Sequence, residues 1–242
     1  MTQLLYQTDS YLKEFDATVL QAGEQGVVLD RTAFYPGGGG QPCDTGQLIL
    51  ADGTRRRVVR LVRQDALLWH QLEGEGPVPA AGSLVHGQID WEHRYQLMRT
   101  HTALHILCGV IWRDYGAQVT GGNMEPLTAR MDFEFERMEK ELVNQIERAI
   151  NAEVKAERPV RVAILPREQA FQIPDLIRTK INLLPPHITE VRVVEIVGLD
   201  LQADGGTHVA NTREVGPIKI VDYKSKGRIN KRLVIALEPT LV

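Results

Sequence analysis

The hydrophobic pattern of this chain changes period near residue 90, and that change limits the fold more than any other feature. Between residues 11 and 89 the apolar residues come in short runs rich in Val and Leu, broken by Gly, Asp and Pro. Residues 15–20, 26–29, 47–50, 58–62, 66–71 and 84–88 read as strands, and short strands at this spacing predict a small β-barrel or sandwich. From Trp91 onward, Leu97, His101, Leu104, His105, Cys108 and Ile111 recur at three- and four-residue steps, which predicts one helix over residues 91–115. A second helix is expected over residues 136–157, with Ile146, Ile150 and Val154 on its apolar stripe and Pro159 at its end. A short third helix is expected over residues 167–171. Strands over 160–164, 192–196, 218–224 and 233–238 interleave with these helices. The expected class is α+β: a small glycine-rich β-barrel-like domain over residues 1–89, then an α/β-layer domain over residues 90–242.

Composition removes several alternatives. With 242 residues and 43% apolar content, the chain can bury a core without covalent staples. Cys43 and Cys108 are too few for a disulfide framework. The N-terminus has no basic start and no long apolar stretch, so no signal peptide is expected. No run approaches the ~18 apolar residues of a membrane span, and the expected compartment is the cytoplasm. A net charge of −3 excludes a bulk polycation but not local basic patches.

Three segments carry chemistry. In His101-Thr-Ala-Leu-His105 the two imidazoles lie one helical turn apart on one face and can reach a single ion. Zinc peptidases of this spacing place Glu directly after the first His as general base; here that position is Thr102, which disfavours peptidase chemistry. In Asp204-Gly-Gly-Thr-His208 the paired glycines predict a tight turn that brings a carboxylate and a third imidazole together. Either pair alone also fits ordinary structural residues: two histidines on a semi-buried helix face, or an acidic surface turn. Together they make an Asp/His₃ donor set suited to zinc or a similar divalent ion. The third segment, Thr32-Ala-Phe-Tyr-Pro-Gly-Gly-Gly-Gly-Gln41, lacks the Lys-Ser/Thr of a phosphate loop, and a flexible hairpin is its plainest reading.

Read together, TAFYPGGGGQPCDTG, DWEHRYQLMRTHTALHIL and DGGTHVANTREVGPIKIVDYKSKGR resemble the AlaX family of alanyl-tRNA editing proteins, in its medium-length class. They also resemble the editing domain of alanyl-tRNA synthetase. The resemblance covers nearly the whole chain and implies an editing domain of the threonyl/alanyl-tRNA synthetase type. It implies hydrolysis of tRNA(Ala) mischarged with serine or glycine, with the acceptor end and its aminoacyl adenosine as ligand. It also implies one zinc ion, held by His101, His105 and His208. Asp204 stands where most members have Cys, and a carboxylate is a harder ligand than a thiolate. The fourth position is then open to Asp204, to Cys108 one turn beyond His105, or to water.

The implied ester substrate sets the remaining roles. Thr32 matches a family threonine associated with recognition of the serine hydroxyl. Gly38, Gly39 and Gln41 join it as candidates for the catalytic contacts, and Gly205, Gly206 and Thr207 as candidates for binding substrate. Bare amides of either glycine segment suit an oxyanion. Of two basic clusters, Arg55, Arg56, Arg57, Arg60 and Arg63 read as a solvated strand. The other comprises Lys224, Lys226, Arg228, Lys231 and Arg232, and Lys224, Lys226 and Arg228, in its KSKGR segment, are the expected tRNA contacts. Two other readings fit the same residues: a tRNA-binding module with weakened catalysis, and a metallohydrolase for other aminoacyl esters.

Overall fold

The computed structural model describes residues 2–24, 26–179 and 188–239. The chain divides into two compact units, residues 1–96 and 97–242. The strands of the first unit are β1 (Gln3–Leu4), β2 (Glu14–Gly23), β3 (Gly26–Leu29), β4 (Arg31–Thr32), β5 (Gly46–Leu50), β6 (Arg55–Gln64), β7 (Leu67–Leu72) and β8 (Leu84–Ile89). Six of them pair in a closed ring, in the order β2-β3-β7-β6-β5-β8, with every pairing antiparallel. Closure follows from the alternation along each strand, since the residues that face inward are the apolar ones. Phe15, Ala17 and Val19 of β2, Leu48 of β5, Val58 and Leu61 of β6 and Val85 of β8 fill the interior with Phe34.

The glycine segment joins β4 to β5. Gly37, Gly38, Gly39 and Gly40 have φ of +85°, +128°, +58° and +88°, a succession that residues with a Cβ adopt only under strain. Four glycines in a row are therefore a backbone requirement of this turn, and the segment is an ordered hairpin. Gly38 and Gln41 exchange both backbone hydrogen bonds, at 3.1 and 2.9 Å, and the Tyr35 hydroxyl donates to the Gly38 carbonyl at 3.0 Å. Below the turn lies a buried ion pair. Arg94 Nε donates to Asp44 Oδ1 at 2.9 Å, while its other nitrogens reach the carbonyls of Ala33 at 2.6 Å and Ser10 at 2.9 Å.

Helix α1 (Trp91–Tyr115) begins in the first unit and continues into the second. From Leu97 to Ile111 it is buried at every position, so it behaves as a central core helix with no solvent face. The second unit continues with β9 (Val119–Glu125), β10 (Thr128–Glu134), α2 (Lys140–Lys155), β11 (Val160–Pro166), α3 (Arg167–Ala170), β12 (Glu190–Ile196), β13 (Asp200–Ala203), β14 (Ile218–Ser225) and β15 (Asn230–Leu237). These strands form two sheets, ordered β14-β15-β10-β9 and β11-β12-β13. Helix α2 buries Val143, Ile146, Ile150 and Val154, and Asn151 docks it to β14 by accepting from the Ile218 amide at 3.0 Å and donating to its carbonyl at 2.8 Å. It starts four residues later than its periodicity suggests. The β9–β10 hairpin is absent from the sequence expectation, because Gly121-Gly122-Asn123 dilutes the β pattern of its first strand.

Candidate metal centre

Helix α1 and the turn after β13 bring the three histidines and Asp204 together. One donor atom from each of His101, His105, Asp204 and His208 lies within 4.8 Å of all the others. His208 Nε2 is 2.9 Å from Asp204 Oδ2, and His101 Nε2 is 3.5 Å from Asp204 Oδ1. The His101 and His208 rings stack with centroids 4.3 Å apart, and the His105 ring stands edge-on to both. The turn is held from inside: Gly206 donates its amide to Asp204 Oδ2 at 2.8 Å, and Arg192 Nη1 donates to the Asp204 carbonyl at 2.9 Å.

Two residues without a role in the sequence expectation fix the imidazoles. His105 Nδ1 lies 3.0 Å from Asp200 Oδ2. A carboxylate only accepts, so Nδ1 carries the proton and the Nε2 lone pair is left for the shared focus. His208 Nδ1 lies 3.1 Å from Thr102 Oγ1, which also accepts from the Val209 amide at 3.2 Å. Thr102 thus occupies the place of the absent peptidase Glu and serves as partner to a histidine on another segment. Asp200 takes a further bond from Gln202 Nε2 at 2.7 Å. Gly109 admits this group: a Cβ there would come within 3.0 Å of Asp200 Cβ and 2.9 Å of Leu199 Cγ. Asp200 was detectable in principle, because Asp200, Asp204 and His208 are spaced four apart around the glycine turn.

Burial and charge decide the protonation states. Burial holds His101 well below the ordinary histidine value and lowers His208 to about 4, so both imidazoles are neutral and carry lone pairs. Burial also works against the Asp204 carboxylate, but its attraction to His101 and the hydrogen bond from His208 prevail, and its pKa lies well below the usual value. Burial disfavours charge on His105 as well, yet the bond and charge of Asp200 raise its pKa overall. Burial drives the Cys108 thiol far up, and its sulfur accepts from Gln202 Nε2 at 3.4 Å. Cys108 lies outside the four-donor group; Asp204 is the fourth member.

The donor set fits a divalent ion of the zinc class. Three imidazoles and one carboxylate make a borderline ligand set, and their side chains are only 1–14% exposed. A tetrahedral site with Zn–N near 2.05 Å has donor edges of roughly 3.3 Å, which the 2.9 and 3.5 Å separations around Asp204 bracket.

The other expected site residues sit in two places. Thr207 is fully buried beside His208. Thr32, Gly38, Gly39 and Gln41 belong to the first unit. Thr32 is fully buried; its hydroxyl lies 2.8 Å from His70 Nε2 and accepts from the Phe34 amide at 3.2 Å. His70 Nδ1 faces the Val27 carbonyl at 3.3 Å, and burial lowers its pKa to about 4. His70 is therefore neutral with its proton on Nδ1, and Nε2 receives the Thr32 proton. One lone pair of Thr32 Oγ1 is left. Gly38 and Gln41 bond each other, and Gly39 is exposed at the tip. Of the expected tRNA contacts, Lys224 pairs with Asp222 at 2.9 Å, while Lys226 and Arg228 are exposed in the β14–β15 turn.

Comparison with known proteins matches both units. The family model for class II (A) tRNA synthetases matches residues 6–93, and the model for the second additional domain of threonyl and alanyl tRNA synthetases matches residues 191–234. The chain is 39% identical over 242 residues to the alanyl-tRNA editing protein AlaX-M of Saccharolobus solfataricus, covering 99% of this chain and 100% of that protein. The AlaX-M protein of Methanosarcina barkeri is 38% identical, over 98% of this chain and 99% of its own length. Identity to the alanine–tRNA ligase of Pyrococcus furiosus is 40% over 91% of this chain, which spans 24% of that enzyme.

Proposed function

The chain belongs to the family of alanyl-tRNA editing proteins, and from that premise we propose that it hydrolyses the aminoacyl ester of tRNA(Ala) mischarged with serine or glycine. The single observation that carries the chemical side of this reading is the buried His₃Asp group, since four convergent donors with a carboxylate behind one imidazole are hard to explain as packing alone. His101, His105, Asp204 and His208 would hold one zinc ion, which when bound supplies a Lewis acid to activate water or polarise the ester carbonyl.

The chain's own residues supply the rest. Water adds to the ester carbonyl carbon, the ribose oxygen leaves with a proton, and free amino acid and tRNA(Ala) result. Asp200 holds a proton of His105 on Nδ1 and so turns its Nε2 toward the shared focus, while Thr102 orients the His208 ring through Nδ1. The amides of Gly38 and Gly206 are committed to Gln41 and Asp204. Gly205, next to Asp204 in the same turn, is the amide assigned to the oxyanion. Thr32 reads the acyl group: with its proton given to His70, it accepts from the serine hydroxyl. It is shielded from water, the condition under which an unmatched hydroxyl partner discriminates most. Lys226 and Arg228 contact tRNA phosphates.

The test is release of serine from Ser-tRNA(Ala) and of alanine from Ala-tRNA(Ala), with and without chelator. Serine release that chelator abolishes and zinc restores is expected, together with loss of serine preference in Thr32→Val. Absence of serine release from the zinc-loaded protein would leave only a binding role.

A further inference from the structure

The arginines of β6 are less committed to partners within the chain than several members of the C-terminal basic cluster. In the C-terminal one, Lys224 is paired with Asp222, Arg232 makes a two-point bond to Asp132, and Lys231 is tied to the carbonyls of Gly227 and Arg228. On β6 only Arg56 is spent in this way, buried against the carbonyls of Glu73, Gly74 and Pro77. Arg55, Arg57 and Arg60 are exposed. Arg57 faces Glu73 at 3.7 Å across an exposed pair, which solvent screens. Arg55 and Arg60 have no carboxylate or hydrogen-bonding partner among the described residues.

A bulge aligns these three side chains. In regular strand alternation Arg57 and Arg60, three apart, point to opposite faces. The β6–β7 register shifts between Val58 and Arg60, so Val59 is the extra residue and Arg60 comes to lie opposite Gln71. Leu61, next along, then points into the core while Arg60 remains outside. On the same outer face Gln47 lies opposite Arg57, and half-buried Trp69 lies opposite Val62. Neighbouring arginines two residues apart on a strand are spaced by roughly 7 Å, similar to successive phosphates along one nucleic-acid strand.

We infer that the outer face of β6, with Arg55, Arg57 and Arg60 aligned beside Trp69 and Gln71, is a contact surface for the phosphodiester backbone of the tRNA. The inference rests on the editing function proposed above. Charge complementarity argues for it: β6 carries five arginines and no acidic residue in a chain whose net charge is −3. The tryptophan adds an aromatic surface of the kind on which RNA bases stack.

The experiment measures tRNA(Ala) affinity against salt for the full zinc-loaded chain and for the triple variant Arg55→Gln, Arg57→Gln, Arg60→Gln. Each lost phosphate contact should lower the slope of log K against log salt by about 0.7–0.9. The triple variant should lose about 2–3 from the slope, making its affinity about 20–40-fold less sensitive to a change from 50 to 200 mM salt. A triple Lys variant should keep the slope. If the Gln variant melts early, single Arg55→Gln and Arg60→Gln variants carry the test, each lowering the slope by about 0.8. An unchanged slope overturns the assignment, as does a wild-type chain that binds no tRNA at any salt. Failure of the editing reading shows separately, as wild-type protein that binds tRNA(Ala) but releases no serine from it.

Discussion

Asp200 illustrates how one residue outside a donor set governs it. Its Oδ2 faces His105 Nδ1 at 3.0 Å and is itself held by Gln202, so the imidazole has one orientation and one tautomer. Removing the negative charge while keeping the shape should leave the fold in place and weaken the site. Asp200→Asn is expected to lower zinc affinity by about 10–100-fold, measured by competition with a chromogenic chelator. Unchanged affinity would show that the His105–Asp200 bond is packing only. Asp204 carries the opposite lesson. A carboxylate here keeps the donor geometry of a tight turn, because its own Oδ2 accepts the Gly206 amide at 2.8 Å, a bond that a thiolate makes less well.

At the scale of elements, pairing registers convert sequence neighbours into functional faces. Helix α1 sets His101, His105 and Gly109 one turn apart, two imidazoles and then a gap through which Asp200 approaches. The β10–β15 pair does similar work in the sheet, since its register sets Asp132 directly opposite Arg232. Arg232 Nε and Nη2 bond the two carboxylate oxygens at 2.7 and 2.8 Å, and this holds Asp132 below the ordinary carboxyl value. A carboxyl depressed in the folded state stabilises it fully above the unfolded pKa of about 3.9 and loses that contribution as pH falls through the folded value. Urea titrations of the metal-free protein should show a stability decline below about pH 4 that is shallower in Asp132→Asn. Identical acid limbs would mean that the pair contributes nothing measurable.

Across the whole molecule, what the sequence made legible was whatever depends on local spacing. The six barrel strands, helix α1, and the pairing of His101 with His105 and of Asp204 with His208 follow from periods of two and four along the chain, while the meeting of the two pairs was expected from donor chemistry and family resemblance. Partners contributed by distant segments were not legible. Thr102 meets His208 across 106 residues, Asp200 meets His105 across 95, and Thr32 meets His70 across 38. The outward aim of Arg60 depends on a bulge that no composition signals. Long-range partners of this kind are also what make ion binding and folding one equilibrium, because α1 and the β13 turn hold the donors in place only when the second unit is folded. An ion that binds only the folded chain adds stability of about 2.7 kcal/mol at a free concentration of 100 Kd, or about 5–10 °C in a domain of this size. Zinc should therefore raise the melting temperature of the wild-type chain by that amount and excess chelator should reverse it. Cys108→Ser should respond like wild type, since Cys108 is outside the donor group, whereas His101→Ala and His208→Ala should show little response. A His208→Ala protein stabilised by zinc as strongly as wild type would place the ion elsewhere on the molecule.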